Sequence, residues 1–375
     1  MNSTASILLL WISLYSIGVS VFIHLKRQKI IHKKLLLILV VSLALLSMCI
    51  NPIPSWDLYR HYIFLEDIRS NGIGFYDFLF DNRMRIGGSD YVTLISFNIL
   101  RYMVAITGIY SLLPFIMTLI TYLIWFYITV DWCKEHRINS LDIMFSLILS
   151  LVMMPYIFVN SGLRNTTASA IVGLGIYLYL YRNHSLAKLV VLSIIAFTIH
   201  PSIAHILLVF SISYLFKSMK LATFILILLT NVIPILCTFF YNSEFEILRK
   251  LAYSFSIYTA NRFEDLNFYV ISVYLVALFF CFRFFIGDVK FNKNENKISR
   301  FLLMMCLNAF FYIGYTEFVL RPSYIIGILS TPFLYFMYVN QPSRSMKITA
   351  AVIILIAFTI VERISLPEYL VLRYL

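Results

Sequence analysis

Residues 56–62 read WDLYRHY, and they set an acid, an arginine and an imidazole, Asp57, Arg60 and His61, at i, i+3 and i+4. On a helix those spacings share one face. The three can therefore act together as an acid, a phosphate ligand and a base, with Tyr62 beside them. A competing reading of the same residues is structural: Asp57 complements the dipole of a first helical turn, and Trp56, Tyr59 and Tyr62 belong to an aromatic belt at a membrane surface. The two readings are compatible.

Three other positions carry chemistry. SGLRNTTASA, residues 161–170, has Arg164 where a lipid-facing helix would have a leucine. TEFVLRPSY has Arg321 directly before Pro322, with Glu317 four residues earlier as a possible ion-pair partner. A guanidinium is planar, stays charged and offers forked donors that match phosphate or carboxylate oxygens two at a time. AFTIHPSIAH has His200 before a proline, and an unperturbed imidazole pKa near 6.5 suits a general base at neutral pH. Against that, a single histidine in an apolar run commonly packs and hydrogen-bonds, which is the reading for His205.

The elements that must position these residues are set by the composition of the chain. Of 375 residues, 61% are hydrophobic and only 13% charged, with a mean hydropathy of +0.86. Soluble domains carry about a quarter charged residues, and apolar runs of about 18–25 residues mark membrane-spanning helices. The fold class expected is all-α, a polytopic integral membrane protein with about twelve transmembrane helices. Spans are expected near residues 5–24, 35–51, 109–130, 142–160, 166–181, 187–200, 202–216, 221–240, 268–286, 301–319, 322–339 and 348–365. The first of them lacks a preceding basic residue and a small-residue cleavage site, so it reads as an anchor.

Residues 1–375 are expected to form a single membrane domain, with an external loop of interfacial helices at 52–108 and a second external loop at 241–267. Within the first loop a helix is expected from about Trp56 to Arg69, capped by Ser55 and ended by Asn71-Gly72. Residues 90–107 read as an interfacial or re-entrant helix. A break is expected at His200, because proline disfavours helix for the residue before it. Another is expected at Arg321, as an extended turn from which a new helix starts. Ala168, Ala170, Gly173 and Gly175 place small residues where another helix can approach closely.

Basic residues in short loops set the orientation. LKRQKIIHKK, residues 25–34, is the strongest positive-inside signal, and it places both termini outside. On that map twelve of the thirteen lysines are cytoplasmic, whereas eleven of the seventeen arginines fall on or near the external side. External arginines in such number imply an external anionic ligand. The alternative is pairing with the thirteen external acids, and it is weakest for Arg164 and Arg321, which abut spans and have few acids nearby in sequence.

Several classes find no support. G-x-x-x-x-G-K-[ST] and H-E-x-x-H are both absent, which excludes the sequence signatures of P-loop and zincin chemistry. The five cysteines are scattered, mostly inside apolar runs, so no metal site and no disulfide framework is expected. The formal charge of +12 follows from topology and the external arginines, with no nucleic-acid partner implied.

The ordered set Asp57 to Tyr62 (D-x-x-x-H-Y), Arg164 to Ala168 (R-x-x-x-A), Ile199 to Ser202 (I-H-P-S) and the late Arg321 resembles the EpsG-like and Wzy-type family of polysaccharide polymerases. The resemblance implies a GT-C-like membrane glycosyltransferase of the bacterial inner membrane. Its substrate would be an oligosaccharide repeat unit on undecaprenyl pyrophosphate, its surroundings the lipid bilayer, and a chain-length regulator protein a partner. No cofactor is implied. Arg164 and Arg321 then bind pyrophosphate, Arg60, Arg83 and Arg85 form the outer part of the same site, and Asp57, His61 or His200 activates the acceptor hydroxyl. A lipid-linked oligosaccharide flippase, an O-antigen ligase and a membrane O-acyltransferase are the other classes open.

Overall fold

In the computed structural model, the structure describes residues 32–51, 57–80, 94–136, 156–240, 291–312, 316–340 and 371–372, together with Glu244 and Val276. The spans read at 5–24, 142–160, 268–286 and 348–365 lie wholly or largely outside the described residues, as do Ser55, Arg83, Arg85 and most of the loop 241–267.

The described chain is helical: α1 is His32–Met48, α2 Asp57–Ser70, α3 Phe75–Phe80, α4 Ile95–Thr107, α5 Leu112–Glu135 and α6 Tyr156–Ser161. After these come α7 Leu163–Leu180, α8 Leu186–Ile199, α9 Ile203–Leu215, α10 Met219–Phe240, α11 Lys293–Phe311 and α12 Thr316–Asn340. Two-residue strands, β1 Ile50–Asn51 and β2 Val371–Leu372, pair antiparallel with Ile50 opposite Leu372.

By length and composition α5 is a membrane-spanning candidate. Its 24 residues rise about 36 Å, more than the roughly 30 Å of a bilayer's hydrocarbon. Pro114 sits in its first turn, where a missing N–H breaks no intrahelical bond. Shorter apolar helices include Leu37–Met48 of α1, α4, α8, α9 and Met219–Leu229 of α10.

Packing divides the chain into two units, one of Met1–Leu174, Leu192–Pro201 and Ala351–Leu375, the other of Gly175–Val191 and Ser202–Ala350. In the first, α1 runs along α5, and polar side chains tie the neighbours together. Tyr156 Oη donates to the Leu43 carbonyl at 2.9 Å, Thr118 Oγ1 to Asn160 Oδ1 at 3.3 Å, and Thr121 and Thr167 share a bond of 2.9 Å. Such bonds hold helices together where apolar contact alone gives no preference for a protein neighbour over lipid. Ala168 and Ala170, two of the small residues singled out for close approach, are fully buried.

Among the described residues of the first loop, 57–80 and 94–107, three helices form. α2 carries Asp57 in its first turn and Arg69 in its last, as the dipole favours, and ends at Asn71 and a left-handed Gly72 (φ +58°). Phe78 of α3 is wedged between Phe64 and Tyr102, with ring centroids 5.9 and 5.4 Å away. α4 stops at Gly108 (φ +70°), whose missing side chain leaves room for the Arg69 guanidinium, so α2 and α4 lock end to end.

In the second unit α11 packs on α9, α10 and α12. Asn292 and Glu295 form a complete capping box at its start, and Asn294 Nδ2 donates to the Tyr181 carbonyl at 3.0 Å. The break expected at His200 is present: α8 ends at Ile199 and α9 starts at Ile203 after a Pro201-Ser202 turn. The break expected at Arg321 is not. Arg321 and Pro322 lie inside α12, and the chain leaves α11 around Tyr312 instead. Proline removes one backbone donor and biases its predecessor away from helix, but near the start of a 25-residue helix the remaining bonds outweigh that loss.

Candidate functional site

Asp57 is the hinge of the site. It opens α2, and one turn later His61 comes back over it, with Nε2 3.1 Å from Oδ2. From α7, 107 residues further on, the Arg164 guanidinium meets the same carboxylate side-on. Nε lies 3.3 Å from Oδ2, and Nη2 lies 3.2 Å from Oδ1 and 3.1 Å from Oδ2. A cation in the first turn of a helix opposes the dipole, so Arg164 gains nothing from its own helix. Its position is explained by the acid it reaches. Pairing, the alternative held weakest for Arg164 from sequence, is what the structure shows, because helix packing supplies an acid that proximity in the chain does not.

The three side chains differ in access: 5% of the His61 side chain is exposed, 31% of Asp57 and 21% of Arg164. Burial by itself would raise the Asp57 pKa, but the Arg164 guanidinium and the His61 donor outweigh it and hold the carboxyl well below the usual range. Burial pushes His61 down to about 4, helped by Arg164 and Arg101 and opposed by Asp57. At neutral pH the pair is carboxylate and neutral imidazole. An ionised carboxylate only accepts, so Nε2 carries the proton and Nδ1 keeps its lone pair.

Phe97 of α4 forms a wall of this site. Its ring centroid is 5.0 Å from that of His61 and 5.5 Å from the Arg164 guanidinium carbon. Behind it, Arg101 lies over the Phe64 ring at 3.6 Å and 5.4 Å from Phe97. Neither Phe97 nor Arg101 was singled out for the site from sequence. A signal was present: Ile95, Ile99, Met103 and Ile106 make one apolar stripe along α4, and all four are exposed while Asn98 and Arg101 are buried.

Arg60 is exposed, and Tyr62 sits by Tyr110 with centroids 6.3 Å apart. His200 is buried at the α8 break, and Thr198 Oγ1 bonds Ser96 Oγ at 2.7 Å, which ties that end of α8 to the first turn of α4. His200 is not among the described contacts of Asp57, His61 or Arg164. Arg321 is a buried residue of the second unit, within electrostatic reach of His205, whose Nε2 lies 3.2 Å from Asn308 Oδ1. Glu317 is on α12, and Arg83 and Arg85 are outside the described residues. Among the described residues no three His, Cys, Asp or Glu side chains gather to hold a metal ion.

Asp57, His61 and Arg164 together make a proton acceptor oriented by a carboxylate that is itself clamped by a guanidinium. Side-on pairing through Nε and Nη2 leaves the Nη1 edge of Arg164 for another acceptor. No curated protein and no solved structure matches the chain. The model of the EpsG family matches residues 33–375, a span that takes in every residue of this site, and the chain is a helical membrane protein that belongs to the EpsG family.

Proposed function

We propose that the chain is a glycosyltransferase that polymerises oligosaccharide repeat units carried on undecaprenyl pyrophosphate, working at the external face of the bacterial cytoplasmic membrane. Membership of the EpsG family supports the coarser reading, a polysaccharide-polymerase type of membrane protein. The observation that carries the chemistry is the Asp57–His61–Arg164 arrangement, a neutral imidazole held by a carboxylate beside a partly uncommitted guanidinium. About twelve spans in a GT-C-like architecture, both termini outside and a chain-length regulator as partner complete the proposal.

In this reading His61 Nδ1 takes the proton of the acceptor sugar hydroxyl as its oxygen bonds to the anomeric carbon of the donor. The bond from that carbon to the pyrophosphate oxygen breaks, and undecaprenyl pyrophosphate leaves with the electron pair. Asp57 stabilises the imidazolium formed, as a carboxylate partner does in triads on other folds. Charge developing on the leaving group meets Arg164 Nη1, with the outer Arg60, Arg83 and Arg85 assigned to the same anion, and Arg321 keeps its assignment as a pyrophosphate ligand. Asp57 is thereby an orienting group, because its oxygens are engaged and its affinity for a proton is low. His200 remains the second candidate for the base.

The test is the surface polysaccharide of a strain lacking the gene and complemented with His61→Ala. Expected is loss of the long-chain ladder with one repeat unit retained, while the wild-type gene restores the ladder. Loss of every unit would instead mark a ligase or flippase, and an intact ladder with altered acetylation an acyltransferase.

A further inference from the structure

We infer that Arg101 is a positioning residue of this site, holding Phe97 against His61 and placing a fixed positive charge behind the imidazole. α4 is inverted relative to a helix facing water. It exposes Ile95, Ile99, Met103 and Ile106, with Met103 61% and Ile106 64% exposed, and it turns Phe97, Asn98 and Arg101 inward. A buried arginine is costly unless its surroundings compensate for lost water. Here the guanidinium carbon lies over the Phe64 ring at 3.6 Å, reaches Phe97 at 5.4 Å, and the group donates through Nη1 to Asn98 Oδ1 at 3.5 Å. Phe97 in turn touches His61 and Arg164, so one ring joins two guanidinium groups to the imidazole.

Charged and titratable groups face His61 from several elements. Asp57 comes from its own helix, Arg164 from α7 and Arg101 from α4. α6, which also packs on α2, has Tyr156 as its titratable residue, and that hydroxyl donates to the Leu43 carbonyl. α3, reached through Phe78, carries Asp77, which is exposed. The steps of 5.4 Å from Arg101 to Phe97 and 5.0 Å from Phe97 to His61 put the cation within about 10 Å of the imidazole. At an effective dielectric near 20, a unit charge at that distance opposes protonation by about one pH unit. Burial is the main reason the base stays free of protons, and the two cations add to it against the one carboxylate; Arg164 does so while clamping Asp57, Arg101 from behind the Phe97 ring.

The inference rests on the polymerase reading only for its activity assay, so the experiment has two arms. In the first, the His61 imidazole of the purified full-length protein is titrated by NMR with no substrate present, for wild type, Arg101→Lys and Arg101→Gln. Expected is a rise of about one pH unit in the Gln variant and an unchanged midpoint in the Lys variant. Arg101→Met keeps the apolar stem without the charge and should match Gln; it stands in where the Gln variant does not fold. In the second arm, polymerisation by membranes is followed against pH. The acid limb should move up by the same amount in Gln and Met and stay in place in Lys, with a several-fold lower rate from loss of the guanidinium over the Phe64 ring. A wild-type titration midpoint in both charge-free variants, or equal shifts in Lys and Gln, overturns the role of Arg101. A shifted titration without any polymerisation in the wild type leaves Arg101 in place and sinks the polymerase reading instead.

Discussion

His61 and His205 each bond through Nε2 to a side-chain oxygen, at 3.1 and 3.2 Å, and each has an arginine in electrostatic reach, yet the oxygen is a carboxylate in one case and an amide in the other. Near-equal geometry hides different chemistry. An amide oxygen stays neutral whatever its partner does, so the Asn308 bond orients His205 and no more, with Tyr312 edge-on at 6.1 Å. A carboxylate answers proton arrival with charge, and Asp57 is kept ionised for that purpose by Arg164. A histidine's acid–base capacity is legible from what its partner can ionise to, not from the presence of a hydrogen bond.

The sharpest way to break this comparison is to remove the charge and keep the shape. Asp57→Asn turns the first histidine's setting into a copy of the second's, and polymerisation should fall by about 10²–10⁴-fold, the range of a lost general base. His61→Gln should fall as far. His205→Gln, assayed in the same membranes at matched expression, should stay within a few-fold of wild type. Equal losses at His61 and His205 would mean that neither the carboxylate nor the guanidinium sets the site apart.

A smaller effect separates the two arginines. Arg164→Lys keeps a charge near Asp57 but cannot make the side-on pair, and Arg321→Lys removes a fork assigned to pyrophosphate. Truncating one member of a hydrogen-bonded charge pair costs about 2–5 kcal/mol, and lysine should recover part of it. Both variants should insert and shorten the ladder. A double-mutant cycle of Asp57→Ala with Arg164→Ala should give a coupling of about 0.5–3 kcal/mol, and one of Asp57→Ala with Arg321→Ala a separate value to set beside it. Should both lysine variants make full ladders at full expression, these arginines serve topology or packing.

Much of this was legible in the residues themselves, and what was not has a common cause. Local patterns placed α2 within a residue of its observed start, put a break at His200, and set Asp57 and His61 on one face, because capping, proline geometry and helical period act over a few residues. Arg60 shares that periodicity but is exposed, since period alone does not say which side of the face meets protein. The Asp57–Arg164 pair joins residues 107 apart and depends on helix packing, which no local rule contains. Arg101 was passed over because its segment reads as mixed; only with the apolar stripe facing outward does the arginine face in. At Arg321 the local rule was followed and failed, overridden by the rest of a 25-residue helix.

The smallest expected effect concerns stability, and its sign follows from His61 alone. In the folded protein the imidazole takes a proton only near pH 4, against about 6.5 when unfolded. Between those values the unfolded chain binds more protons, so stability must fall as pH drops from about 6.5 to 4 and change no further below that on account of this group. At 1.36 kcal/mol per pKa unit the loss is about 3 kcal/mol at most. Asp57 adds little in this window: its pKa is depressed well below 3.8, so its stabilisation is in place above about 3.8 and is lost as the pH falls from there through the lower folded value. Thermal unfolding of the detergent-solubilised protein at pH 7, 5.5 and 4.5 should therefore show a declining midpoint, and His61→Gln should flatten much of the decline. An Asp57→Asn variant removes the one group that favours imidazolium, so its His61 should hold a proton even less readily and its decline should continue to lower pH than in wild type. A decline unchanged by His61→Gln would place the acid sensitivity elsewhere in the chain, and His61 would then not be the proton-free base of this site.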